Sequence, residues 1–109
     1  VTALVTKWVS ACKTADFDDS QVLRFDSSSG TYAIFRSAKG EYFATYGYCT
    51  HEQAHLSEGL VVDYEIECPR HSGVFDYRTG EAIGAPACVD LRTFPVRVED
   101  GLVFIAVDS

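Results

Sequence analysis

The sequence predicts an all-β fold, an antiparallel sandwich or small barrel, and three observations predict it. Short β-rich stretches recur at close intervals, turn residues with a glycine among them separate those stretches, and no run of ten or more residues combines a helical period with caps. At 109 residues, with 47% hydrophobic and 13% aromatic side chains, the chain is expected to be one domain over residues 1–109. That length holds a real core but no second large module, so a large catalytic partner would be another chain.

Taken in order, the first predicted strand covers residues 7–11, where Trp8 is expected to pin a terminal strand as a partly buried aromatic. Residues 14–20 suit a short turn. Strands follow at 21–25 and 31–36, separated by Asp26-Ser27-Ser28-Ser29-Gly30, and at 42–46 after Ser37-Ala38-Lys39-Gly40. Gly40, Gly47 and Gly59 read as isolated turn signals. From about Gly47 to Ala87 the pattern changes into an insertion that is itself partly β, with strands at 64–67 and 74–77 and a turn at Arg78-Thr79-Gly80. The chain closes with strands at 94–98 and 102–107 around Glu99-Asp100-Gly101. In that last hairpin Val96 and Val98 flank an outward Arg97, and the returning strand is apolar on both faces.

Charge and composition exclude several functions. Nine basic against sixteen acidic side chains give a formal charge of −7, which disfavours nucleic acid, whose phosphates need Lys and Arg, and fits a basic protein partner. No apolar run approaches the length of a membrane span and no charged leader precedes an apolar core, so a soluble, cytoplasmic protein without a membrane partner is expected. The sequence shows no nucleophile–base pair, no Gly-rich phosphate loop and no dinucleotide fingerprint. It is therefore not expected to be an enzyme.

Chemistry concentrates in two brackets: Cys49-Thr50-His51, then, after a sixteen-residue spacer, Cys68-Pro69-Arg70-His71. Each bracket offers one soft sulfur and one imidazole nitrogen from a single loop, a donor set for a bimetallic centre. The same four side chains could hold one structural zinc in a binding module. Zinc brackets usually pair like with like, whereas both brackets here are mixed. Of the other cysteines, Cys12 and Cys88 could form a disulfide, but a reducing compartment favours two separate small buried thiols.

With the surrounding words Tyr48-Cys49-Thr50-His51, Leu56-Ser57-Glu58-Gly59 and Glu67-Cys68-Pro69-Arg70-His71-Ser72-Gly73, the chain resembles a Rieske-type ferredoxin of bacterial aromatic-ring-hydroxylating dioxygenase systems. The resemblance spans about residues 8–107 and includes Phe94-Pro95-Val96. It implies a β base domain with a small cluster-binding subdomain at about 47–87, and one Rieske [2Fe-2S] cluster. Cys49 and Cys68 would ligate the inner iron, and His51 and His71 the outer one. It further implies a one-electron carrier between a flavin-dependent ferredoxin reductase and a terminal oxygenase. Service to a di-iron aromatic monooxygenase is the alternative within redox chemistry.

The respiratory relatives of this family have a loop-tying disulfide and two sulfur-directed hydroxyls. The matching positions here are Ala54 and Arg70 for the disulfide, and Gly73 and Phe75 for the hydroxyls, with Ser72 one residue out of register. Without hydroxyls to stabilise an electron-rich cluster, the resemblance implies a potential near the low end of the Rieske range, on the order of −150 mV. Glu52 stands where the family commonly has glycine, Gly84-Ala85-Pro86-Ala87 matches a third loop over the cluster, and His55 is expected in a surface or supporting role.

Overall fold

The computed structural model describes residues 6–18, 20–50, 54–69, 73–84 and 89–108. In chain order the described strands are β1 (Thr6–Lys13), β2 (Val22–Ser27), β3 (Gly30–Arg36), β4 (Tyr42–Tyr46), β5 (Leu60–Val62) and β6 (Glu65–Glu67). They continue with β7 (Val74–Asp76), β8 (Ala82–Gly84), β9 (Thr93–Phe94), β10 (Val96–Glu99) and β11 (Leu102–Asp108). Two 3₁₀ turns, at Thr14–Phe17 and Leu56–Glu58, are the helical elements among the described residues. None of the helical segments is long and apolar enough to cross a membrane.

These strands form three antiparallel sheets, ordered β1-β11-β10, β2-β3-β4-β9 and β5-β6-β7-β8. The all-β expectation holds, and β3 shows how the sheets become layers. Its residues alternate between two cores, as the two-residue period of a strand requires. Tyr32 and Ile34 join Phe17, Ala44, Phe94, Val103, Ile105 and Val107 against the first sheet. Ala33 and Phe35 join Ile66, Phe75 and Tyr77 against the small sheet. A strand apolar on both faces has a covering layer on each side.

Tyr77 locks the second core. Its ring stacks on Phe35 with centroids 4.4 Å apart and planes 5° apart, and its hydroxyl donates to the Asp63 carbonyl at 3.1 Å. Burial is the main cause that pushes the Tyr77 hydroxyl pKa up to about 12, so it stays a protonated donor.

The sheets also explain where the expected elements differ from those found. The strand expected at 94–98 breaks at Pro95, because Phe94 pairs with Ala44 in the second sheet while Val96 pairs with Ile105 in the first. Pro95, which has no N–H, sits at the crossing, and its carbonyl accepts from the Ala106 amide at 3.0 Å. Strands β5 and β8, absent from the expected strands, are short three-residue runs that pair with β6 and β7. Trp8 is 40% exposed on the outer face of its sheet, under the Arg97 guanidinium at 4.6 Å from its ring centroid. Arg97 does lie outward, but Val98, expected to be inward, is also exposed.

Candidate metal centre

Two loops carry the brackets, and both are closed in the same way. After β4 the chain leaves as Gly47-Tyr48-Cys49 and returns as Ala54-His55-Leu56. The Cys49 amide donates to the Ala54 carbonyl at 2.9 Å and the Leu56 amide to the Gly47 carbonyl at 2.8 Å. Tyr48 and His55 face each other across this narrow neck, their rings edge to face at 5.4 Å. The second bracket lies in the hairpin between β6 and β7, where the Cys68 amide donates to the Gly73 carbonyl at 2.7 Å. Each cysteine is thus the last residue before its loop opens, and its own amide closes that loop.

Burial brings the two cysteines into one place. Cys49 is 5% exposed and Cys68 3%, and both belong to the core cluster that contains Leu56, Ile66, Phe75, Tyr77 and Leu91. Two sulfur donors in one apolar, water-poor cluster fit a metal–sulfide group whose ferric charge the thiolates and sulfides cancel. His51 and His71 lie outside the described residues, as do Glu52, Arg70, Ser72, Cys88 and positions 85–87 of the expected third loop. Thr50, between Cys49 and His51, donates its hydroxyl to the Val89 carbonyl at 2.6 Å. That bond ties the first loop to the segment following the third.

Side chains with no local sequence signal hold the neck of the first loop. His55 is 3% exposed, which places it in the interior and not on the surface. The Ser57 amide donates to its Nδ1 at 3.1 Å, so the proton of the neutral ring is on Nε2, which donates to Thr31 Oγ1 at 2.8 Å. The Thr31 hydroxyl donates to the Asp26 carboxylate, which also accepts from Arg24 Nε at 3.0 Å. Desolvation, with Arg24 nearby, holds the His55 pKa below the usual histidine value against the opposing pull of Asp26 and Glu58.

Gly47 and Gly59 are close-approach positions and not simple turn signals. A Cβ at Gly47 would sit 2.4 Å from His55 Nε2 and 3.0 Å from the Thr31 backbone. One at Gly59 would sit 2.2 Å from the Glu67 carbonyl oxygen, against the strand that delivers Cys68. Chain order hides the first of these sites in particular, since the Thr31 and His55 that crowd Gly47 are 24 residues apart.

The family model for the Rieske [2Fe-2S] domain matches residues 7–95, so the chain belongs to the Rieske [2Fe-2S] domain family, whose members are built around one [2Fe-2S] cluster. Within it, the similarity is to ferredoxins. The ferredoxin component of the p-cumate 2,3-dioxygenase system of Pseudomonas putida is 41% identical over 106 residues, covering 96% of this chain and 90% of that protein. The structure of the Sphingomonas yanoikuyae B1 ferredoxin superposes with a TM-score of 0.85 at 34% identity, covering 94% of this chain and 99% of that one. The ferredoxin-like match in the complex of reduced oxygenase and oxidized ferredoxin of carbazole 1,9a-dioxygenase gives 0.84 at 34% identity, covering 91% and 92%. These matches favour neither the zinc module nor the di-iron monooxygenase ferredoxin.

Proposed function

We propose that this chain is the electron-carrying ferredoxin of an aromatic-ring dioxygenase system, accepting one electron from a flavin-dependent reductase and passing it to a terminal oxygenase. The observation that carries this reading is the meeting of Cys49 and Cys68 in one buried core cluster, each at the closed base of its loop. When bound, the [2Fe-2S] cluster supplies a one-electron couple. Cys49 and Cys68 would hold one iron as thiolates, and His51 and His71 would hold the other. The surrounding Leu56, Ile66 and Phe75 exclude water from the sulfur side. Phe75, fully buried, has no hydroxyl to offer a sulfur, which supports a potential at the low end of the Rieske range.

The chain has no catalytic site of its own in this reading, and substrate binding belongs to the oxygenase. Its place is the cytoplasm, where ligand thiols stay reduced. Residues 1–109 act as one domain, with 47–87 as the cluster-binding part; the position of β5 to β8 within that range supports the division. The purified protein is expected to be red-brown, with iron and acid-labile sulfide in equal amounts and, after dithionite, a rhombic EPR signal of average g below the free-electron value. Stopped-flow mixing of the reduced protein with a dioxygenase then reads electron delivery. Colourless protein with stoichiometric zinc and no sulfide, from iron-fed cells, would sink the reading.

A further inference from the structure

We propose that His55 is a positioning residue for the cluster: its imidazole clamps the neck of the Cys49 loop onto strands β2 and β3 through Thr31, and so sets the shielding of the iron–sulfur group. The inference rests on the reading that Cys49 and His51 are ligands. Three independent contacts converge on this clamp. The Gly47 amide donates to the Thr31 carbonyl at 2.9 Å, His55 Nε2–H donates to the Thr31 hydroxyl at 2.8 Å, and the Ser57 amide donates to His55 Nδ1 at 3.1 Å. Both arms of the neck are thereby fixed to one residue of β3. The Thr31 hydroxyl is itself oriented by Asp26, and Arg24 fixes that carboxylate.

Direction is specified from Ser57 through His55 and Thr31 to Asp26, since each of these donors has its acceptor and the imidazole has a single tautomer. Space is specified too. The missing side chain at Gly47 is the gap in which Nε2 lies. A buried ring with both nitrogens paired holds its position far better than an apolar side chain of equal size, because any displacement leaves a donor or acceptor unsatisfied. Loosening the neck admits water beside Cys49, and water stabilises the extra negative charge of the reduced state. The potential therefore rises when the clamp fails.

The test separates the two ring nitrogens. Asn places an acceptor near the Nδ1 position but does not reach Thr31, whereas Gln places a donor near the Nε2 position. His55→Asn, which loses the one bond to Thr31, is expected to speed cluster loss to an iron chelator about tenfold, the factor that corresponds to about 1.4 kcal/mol, and Thr31→Val, which loses the bonds to both His55 and Asp26, at least as much. Both are expected to shift the midpoint potential upward in voltammetry. His55→Gln restores most of both properties, and the His55→Asn, Thr31→Val double variant is no worse than Thr31→Val alone. Thr31→Val keeps the branched shape while removing the hydroxyl, and it keeps the test open should His55→Asn misfold. Parent-like potential and release rate in the Thr31→Val protein would overturn the inference, even if its global stability fell. A parent without iron and sulfide, or one whose visible spectrum survives Cys49→Ser and Cys68→Ser, overturns the ligand reading as well. A Cys-dependent cluster indifferent to His55 and Thr31 overturns the clamp alone.

Discussion

At Gly47 the physics is a matter of one methyl group. An added Cβ would lie 2.4 Å from His55 Nε2, so either the imidazole or the neck must shift. Overpacking of this kind costs about 1–3 kcal/mol, and the displaced ring also loses its bond to Thr31. Gly47→Ala is expected to lower stability in denaturant melts by about 2–4 kcal/mol while retaining the ligands. His55 itself imposes a pH dependence. Its folded-state pKa lies below the ordinary value of 6.5, so the unfolded chain binds a proton that the folded chain does not. The His55 contribution is full above pH 6.5 and is lost as the pH falls from there towards the folded value. Arg24, Asp26, Glu58 and the Tyr48 ring are the charged and titratable groups that face it. The carboxylates of Asp26, Asp76 and Asp108 are held below their usual 3.8, so their loss falls in a separate, more acid window. Thermal melts of the parent should therefore fall off faster than those of His55→Asn just below pH 6.5.

At the scale of elements, the Phe35–Tyr77 stack joins β3 of the second sheet to the end of β7 in the small sheet. Tyr64 and Phe43 pack around the same ring, at 5.9 and 5.7 Å between centroids. Tyr77→Phe keeps the stack and loses only the bond to the Asp63 carbonyl, an expected cost of about 0.5–1.5 kcal/mol. Tyr77→Ala empties the space between two sheets and should cost about 3–5 kcal/mol. Chemical denaturation measures both. A loss for Tyr77→Ala no greater than for Tyr77→Phe would show that the small sheet does not depend on this contact.

The whole molecule carries a formal charge of −7, which would steer association with a basic partner and be screened by salt. Electron transfer to the oxygenase is expected to slow as ionic strength rises. Glu52→Lys and Arg70→Glu reverse charge beside the proposed ligands His51 and His71, at positions outside the described residues. Both are expected to change the second-order transfer rate while leaving the visible spectrum intact. Stopped-flow reduction of the oxygenase at several salt concentrations measures this, and rates indifferent to both substitutions and to salt would move the docking surface away from the loop tips.

The kind of cluster was legible in the sequence because the expected ligands are closely spaced, Cys49 with His51 and Cys68 with His71, and of these the fold brings the described pair, Cys49 and Cys68, into one buried cluster. The hairpins were legible for the same reason, since the β-rich runs of β2, β3, β4 and β11 and the glycines between them are local signals. Tertiary structure alone decided what depends on distant pairs. It showed that β3 faces two cores, that Pro95 marks a change of sheet, and that β5 and β8 complete the small sheet beside β6 and β7. Only the fold turned His55 inward to meet Thr31 and made Gly47 the gap between them. Local periodicity records which residue types recur, but a buried hydrogen bond or an absent methyl group has meaning only once the strands on both sides are in place.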